Sequence, residues 1–221
     1  MGAAPDITQM TFSADKRAEN PFALQICDVP TAHLIPLNFD LAADYLRGRA
    51  DSSLTPELLL SVYRVMTMGT PYEGFGFKTE DNLIHARDRI VFVPAAASVS
   101  LQELEKLLNS YADTLQFLHG EEALRPIFRF TLQFILIHPF PDGNGRMSEL
   151  MLMYLLYHAG YSNSFEFPVD QLLMKNRMQY CFSMRRSTAV VYSAGIRDSR
   201  PYEDFMLDCL KDLFHPAKPS E

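Results

Sequence analysis

The segment after Pro126 is apolar on nearly all sides, and this feature constrains the fold of the 221-residue chain more than any other. Because proline is favoured in the first turn of a helix, the pattern predicts a helix that begins near this residue. A helix that is apolar around its circumference must be enclosed by other elements. We therefore expect a central helix. Its apolar residues are Ile127, Phe128, Phe130, Leu132, Phe134, Ile135, Leu136 and Ile137.

Other parts of the chain predict helices that surround this central one. Thr55 and Pro56 have the order of an N-cap and a first-turn proline. Ser100 and Glu103 have capping-box spacing, and apolar residues at three- and four-residue intervals follow them. The helix that starts at Thr55 and Pro56 is expected to end at Gly69 or Thr70. A further helix should span Met147 to Tyr157, with Gly160 as its C-cap. Two more are expected, one at about Asp170 to Ser187 and one from Pro201 onward.

Little of the chain favours strands. Ile90 to Val93 is the one good candidate, and we expect it to pair with Phe75 to Lys78 through the turn-rich stretch Thr79 to Asn82. Residues up to about Asp51 carry four prolines without sustained periodicity, which predicts an irregular arm. The expected fold class is therefore all-α with one small β-hairpin.

Charge and composition exclude several classes of function. A formal charge of -7 disfavours a nucleic-acid partner. The longest apolar run, Leu150 to Tyr157, is too short to span a membrane, and the first residues lack a secretory signal, so we expect a cytoplasmic protein. The three cysteines are widely spaced and suggest neither a disulfide framework nor a zinc site.

The residues between the two most apolar helices carry the chemistry. This stretch is His138-Pro139-Phe140-Pro141-Asp142-Gly143-Asn144-Gly145-Arg146. Its glycines permit positive dihedrals and close backbone approach, and it leads into a helix N-terminus, which attracts phosphate. Arg146 adds a charged fork for phosphate oxygens, and Asp142 supplies a hard oxygen ligand for magnesium. His138 can accept a proton near neutrality.

These nine residues predict nucleotidyl or phosphoryl transfer to a hydroxyl. The alternative is a glycine-rich turn whose histidine is stabilised by a helix dipole. Each residue alone fits that alternative, but a structural turn needs no base, carboxylate and arginine together.

The same residues resemble the signature of the Fic family, His-Pro-Phe-x-Asp/Glu-Gly-Asn-Gly-Arg, and match it at every specified position. The order of predicted elements from about Leu54 to Leu213 is also similar to a Fic domain. The resemblance implies an all-α, Fic-type helical bundle with one small β-hairpin flap. It divides the chain into an N-terminal arm at 1–51, a Fic domain at 52–215 and a C-terminal tail at 216–221.

This resemblance implies a protein adenylyltransferase, which transfers AMP from the co-substrate ATP, with Mg²⁺, to a hydroxyl of a target protein. His138 would be the general base and Asp142 would hold the metal. The target would pair with a flap within residues 74–93. Asn176 and Tyr180 either border the nucleotide base or have a packing role. The implied donor-binding residues are Phe140 as a packing anchor, Gly143, Asn144 with backbone and side chain, Gly145, and Arg146.

Two departures from the family pattern leave the donor and the regulation open. Glu149 stands where the family often has a second arginine that positions the terminal phosphate of ATP. The inhibitory pattern Ser/Thr-x-x-x-Glu-Gly/Asn has no complete match, and Ser199 to Glu203 comes closest. The alternatives are therefore a Fic-like transferase with a different nucleotide or diphosphate-linked donor, or a non-catalytic interaction module. The oligomeric state is left open.

Overall fold

The computed structural model describes residues 31–86, 89–189, 191–192 and 195–214. The chain divides into two compact units, Met1–Gly76 and Phe77–Glu221. The described residues form eight α-helices and a single pair of strands. The elements are α1 Thr31–Arg47, α2 Pro56–Met66, β1 Ile84–Ala86, β2 Arg89–Phe92, α3 Ala97–Asp113, α4 Glu121–Ile137, α5 Asn144–His158, α6 Val169–Lys175, α7 Arg177–Ser187 and α8 Arg200–Phe214.

The first unit contains α1 and α2, which pack together. The prediction of an irregular arm up to residue 51 is wrong over α1, because Pro36 is accommodated within the helix and removes only one of its hydrogen bonds. The side chain of Asn38 donates to the carbonyls of Met66 (3.2 Å) and Met68 (2.6 Å), which ties α1 to the end of α2. Residues 1–30 of the predicted arm lie outside the described residues.

The start of α2 is confirmed. The Thr55 hydroxyl accepts from the N–H of Leu58 at 3.3 Å, and Pro56 occupies the first turn. The helix ends at Met66, a few residues before the predicted end, because Thr67 leaves helical geometry and bonds the carbonyl of Tyr63.

In the second unit α4 is the central helix, and it packs against α3, α5 and α8. All of its predicted apolar residues are buried. The helix begins five residues before Pro126, at Glu121, because Gly120 adopts a φ of 56° and supplies the turn that opens it.

The capping box predicted for α3 is wrong. The helix begins at Ala97, whose N–H donates to the Asp81 carboxylate at 2.7 Å, so the capping acceptor comes from a distant segment. Ser100 is buried inside the helix and bonds the carbonyl of Ala97 at 3.2 Å.

A strand pair is present, but its first strand differs from the predicted one. β1 pairs antiparallel with β2, with Ile84 opposite Phe92. The segment Phe75 to Lys78 is not a strand, because the N–H of Lys78 donates to the carbonyl of Pro139 (2.8 Å).

The remaining helices close the second unit. Gly160, with a φ of 102°, follows α5 as predicted. The helix expected at 170–187 is divided into α6 and α7 at Asn176, whose side chain bonds the carbonyl of Leu172 at 2.9 Å. The last helix, α8, starts near Pro201 as predicted. None of the described helices is both long and apolar enough to cross a membrane.

Glu203 of α8 is a buried carboxylate with 1% exposure. It accepts from Arg129 at 2.9 Å and from Arg125 at 3.4 Å, both on α4. This residue ends the closest match to the inhibitory pattern, and its position gives it a role in joining two helices.

Candidate functional site

The signature loop connects the C-terminus of α4 to the N-terminus of α5. His138 follows α4 in the left-handed region, with φ 55° and ψ 58°, and is the only non-glycine residue with positive φ among those described. Gly143 precedes α5, also in the left-handed region, with φ 74°. A non-glycine residue in this region is strained, so the surrounding packing must hold His138 in place.

Two bonds between Asn144 and Phe140 brace the loop. The N–H of Phe140 donates to Asn144 Oδ1 at 2.9 Å, and Asn144 Nδ2 donates to the Phe140 carbonyl at 2.7 Å. Both residues are fully buried or nearly so, and the Phe140 ring stacks on Phe77 with centroids 5.1 Å apart. Phe140 is therefore a packing anchor, and the Asn144 side chain braces the loop, whereas the sequence assigned it to phosphates.

The imidazole of His138 is held by a backbone carbonyl. Its Nδ1 lies 3.1 Å from the oxygen of Ile135. Because a carbonyl can only accept, Nδ1 carries the proton and Nε2 presents a lone pair. Burial lowers the pKa of His138 to about 4; the bond with Ile135 and the charge of Asp142 raise it, and the charge of Lys78 lowers it. The ring is therefore neutral at pH 7.

Asp142 and Arg146 form an ion pair one helical turn apart. Arg146 Nη2 lies 3.0 Å from Asp142 Oδ2, and the Asp142 side chain is 48% exposed. Among the described residues, no group of three or more histidine, cysteine or acidic side chains could hold a metal ion. Asp142 thus fits magnesium only as a single carboxylate, the arrangement in which substrate phosphates and water supply the other ligands.

The N-terminus of α5 can accept an anion. Its first intrahelical bond runs from the N–H of Met147 to the carbonyl of Gly143 at 2.9 Å, so the preceding N–H groups have no intrahelical partner. Gly145 does not have the positive φ expected from the sequence, and a Cβ added there would meet no atom within 4 Å. The fold itself does not require glycine at this position.

Glu149 lies one turn beyond Arg146 and is partly buried. Burial raises the pKa of Glu149 to about 7, the Asp170 carboxylate raises it as well, and Arg146 lowers it. The carboxyl group therefore carries only part of its charge at neutral pH.

Asn176 and Tyr180 have packing partners. Asn176 bonds the carbonyl of Leu172, and the Tyr180 ring lies 6.0 Å from Tyr202 and 5.9 Å from Phe205. Burial raises the pKa of Tyr180 well above its ordinary value. These contacts give both residues structural roles.

Sequence reasoning missed Lys78 and Asn82. Lys78 is buried, and Asn82 Nδ2 donates to the Phe140 carbonyl at 3.3 Å. Both residues precede the signature loop by about sixty positions and belong to no periodic pattern. No signal in a single sequence joins them to the loop.

The chain is similar to known proteins in sequence and in fold. Residues 53–156 match the model of the Fic/DOC family. Proteins named protein adenylyltransferase Fic from Drosophila mojavensis and Drosophila melanogaster are 29% and 28% identical to the chain over 179 residues. The aligned part covers 78% of this chain but only 31% and 32% of those proteins, so the chain spans about a third of their length.

Two crystal structures have a similar fold. A Fic domain-containing signaling protein from Bacteroides thetaiotaomicron has a TM-score of 0.60 at 18% identity, over 80% of this chain and 68% of the other. A Fic family protein from Desulfovibrio desulfuricans has a TM-score of 0.65 at 20% identity, over 96% of this chain and 61% of the other.

Proposed function

The chain is a Fic family protein whose Fic/DOC domain includes residues 53–156, and from this premise we propose that it is a protein adenylyltransferase that moves AMP from ATP to a hydroxyl of a target protein. One observation carries the proposal. A neutral imidazole whose Nε2 can accept a proton lies at one end of a braced loop, and a helix N-terminus suited to phosphate lies at the other.

In the proposed reaction His138 Nε2 takes the proton of the target hydroxyl. The hydroxyl oxygen forms a bond to the α-phosphorus of ATP, and the bond to the β-phosphate breaks, so that pyrophosphate leaves. The pKa of about 4 makes the free imidazole a weak base, but donor phosphates beside it would raise that pKa. General-base catalysis of this kind contributes about 10²–10⁴ in rate.

The donor would lie on the N-terminus of α5. The backbone N–H groups of Gly143, Asn144 and Gly145 would cradle its phosphates, and the open space above Gly145 admits them. Arg146 would leave Asp142 to neutralise charge on the departing pyrophosphate, while Asp142 would hold magnesium. Magnesium supplies charge neutralisation on phosphate oxygens.

The target would bind by extending the two-stranded sheet. Among the described residues, the edge without a strand neighbour is that of β1, because Val93, just after β2, already forms a bridge with Val191. Main-chain pairing of an extended segment at such an edge leaves its side chains alternately directed to the two faces of the sheet. One of these would be the acceptor hydroxyl.

Glu149 favours a second candidate, a Fic-like transferase that uses a different nucleotide or a diphosphate-linked donor in place of ATP. A carboxylate one turn from Arg146 repels an anionic group placed there, although its pKa of about 7 weakens this effect. Glu149→Arg should increase the affinity for ATP more than the affinity for ADP or AMP, and this difference should be smaller at high salt. A uniform change across the three nucleotides would place residue 149 away from the terminal phosphate.

A donor panel tests the proposal. The purified protein is incubated with magnesium and with labelled ATP, other nucleotides or diphosphate-linked donors, alone and with cell extract. Transfer of label from ATP supports the adenylyltransferase. Transfer from another donor, without transfer from ATP, supports the second candidate. Asp142→Ala should weaken magnesium-dependent donor binding, since it removes a metal carboxylate and leaves the backbone N–H groups in place.

A further inference from the structure

Lys78 is a buried lysine outside the signature loop, with 6% of its surface exposed. Its ammonium donates to oxygens of three separate segments: Asn82 Oδ1 at 3.0 Å, the Ala95 carbonyl at 2.6 Å and the Ile137 carbonyl at 3.4 Å. Its backbone N–H donates to the Pro139 carbonyl at 2.8 Å. An ammonium has three N–H donors, so these bonds satisfy it completely.

These bonds join the two ends of one segment. Residues 79–94 contain the strand pair and lie between Lys78 and Ala95 in the sequence. The N–H of Ala95 also donates to the Leu136 carbonyl at 3.3 Å. Both ends are therefore fixed to the last turn of α4. The Ile137 carbonyl is one of the helix-end carbonyls without an intrahelical partner, and a cation is favourable there.

The burial of this charge has a cost. Burial lowers the pKa of Lys78 to about 8, and the Asp81 carboxylate partly opposes this. A buried charge is tolerated when its hydrogen bonds are complete. A neutral side chain such as methionine would fill the same space without that cost, so the contribution of the lysine lies in its three bonds.

We propose that Lys78 is a positioning residue that fixes both ends of residues 79–94 to the backbone next to His138, and thereby holds His138 in its strained backbone conformation and its imidazole in place. The importance of that imidazole as a base rests on the proposed function. The anchoring itself does not. A target bound at β1 would thus contact a segment that is attached directly to the signature loop.

Two variants and a control test the anchor. Lys78→Met removes the charge and the donors, and Lys78→Arg keeps both. Lys106→Met changes an exposed lysine of α3 that pairs with Glu103, three residues before it. Each protein is compared by circular dichroism, and all rates are expressed per folded molecule.

The first measurements do not involve activity. In Lys78→Met the amide of Ala95 should exchange with solvent about tenfold faster, while the amides of α8 keep their rates. The proton on His138 Nδ1, which is bonded to Ile135, should lose its NMR signal at neutral pH through faster exchange. Lys78→Arg and Lys106→Met should retain both features. Unchanged exchange and an unchanged imidazole signal in folded Lys78→Met would overturn the proposal.

The activity measurement separates positioning from binding. Lys78→Met should lower kcat by about 10- to 100-fold, because a small displacement of a reacting group has an effect of that size. The KM for ATP should change less than about threefold, and Lys78→Arg should recover most of kcat. Equal losses in Lys78→Met and Lys78→Arg would assign the residue to folding alone and contradict the proposal.

If the Lys78→Met protein does not fold, Asn82→Ala decides the matter. This variant removes the Oδ1 partner of the ammonium and the Asn82 bond to the Phe140 carbonyl, whereas Asn82→Asp removes only the second of these. Faster exchange at Ala95 in Asn82→Ala than in Asn82→Asp supports the anchor, and equal rates overturn it. If the parent protein transfers no AMP but the exchange measurements respond as expected, the proposed function fails and the anchor stands. If the parent is active and these measurements do not respond, only the anchor fails.

Discussion

Asn144 closes the signature loop on Phe140 through two hydrogen bonds of opposite direction, at 2.9 and 2.7 Å. Residue 144 is also the first of α5, so the same side chain that fixes the loop fixes the start of the helix that follows. The loop is thereby held by hydrogen bonds within the protein. A site of this kind is preorganised for whatever binds at the helix N-terminus.

Asn144→Ala should destabilise the protein by about 1–3 kcal/mol, because it removes the acceptor of the buried Phe140 N–H and one of the donors to the Phe140 carbonyl, which keeps its bond from Asn82. Asn144→Asp keeps an acceptor for the N–H and loses the donor, so it should be intermediate. Urea unfolding measures all three proteins. Equal stabilities of Asn144→Ala and the parent would show that the two bonds contribute nothing to the fold.

The two glycines of the loop should respond differently to alanine. Gly143→Ala should cost about 1–2 kcal/mol, since φ is 74° there. Gly145→Ala should leave stability nearly unchanged, because a Cβ meets no protein atom, but it should weaken nucleotide binding by occupying the space proposed for phosphates. Thermal unfolding and nucleotide titration on the same samples measure both effects. Unweakened binding by Gly145→Ala would move the donor away from this position.

Glu149 should make stability fall as pH rises from about 4 to 7. Its pKa is raised to about 7 in the folded state, against roughly 4.3 in an unfolded chain, so between these values the folded protein binds more protons. The free energy of unfolding of Glu149→Gln, relative to that of the parent, should therefore increase by up to on the order of 3 kcal/mol from pH 4 to pH 8. Urea unfolding across this range measures the difference, with Glu105→Gln, an exposed carboxylate of α3, as the control. Parallel curves for Glu149→Gln and the parent would contradict the raised pKa.

His138 should remain neutral well below its ordinary range. Since its pKa is lowered to about 4, the acid limb of kcat/KM, which reflects the free enzyme, should lie below pH 5. The folded protein binds fewer protons than the unfolded chain between about pH 6.5 and 4, so this residue makes stability fall as pH drops through that window. NMR titration of the imidazole provides an independent measurement. A midpoint near 6.5 would indicate an exposed ring.

Glu203 should matter for stability more than its neighbour. Glu203→Gln removes the charge of a buried carboxylate that pairs with Arg125 and Arg129. Because both arginines are half-exposed, we expect the free energy of unfolding to fall by about 2 kcal/mol. Asp204→Asn removes an exposed partner of Arg125 and should cost less than about 1 kcal/mol. Chemical denaturation compares the two variants, and equal losses would mean that the burial of Glu203 has no energetic weight.

Local patterns predicted much of this molecule. The signature lies within nine consecutive residues, and the apolar circumference of α4 lies within one helix, so each could be recognised without knowledge of the rest of the fold. Two other contacts could not be recognised in this way, namely the cap of α3 by Asp81 and the bond between Lys78 and Ile137. They join residues that are 16 and 59 positions apart in the sequence. The first strand was misplaced because Phe75 to Lys78 has strand-like composition, whereas tertiary contacts place Phe77 and Lys78 against the loop.

The proposed role of His138 is to direct the transfer of AMP from ATP to protein. To test this role, the parent protein and His138→Ala are incubated with magnesium, cell extract and ATP labelled at either the α- or the γ-phosphate. Protein should acquire the α-label and not the γ-label, and His138→Ala should transfer neither while binding ATP with nearly the affinity of the parent in calorimetry. Transfer of the γ-label, no transfer by the parent, or undiminished α-labelling by His138→Ala would contradict this role of His138.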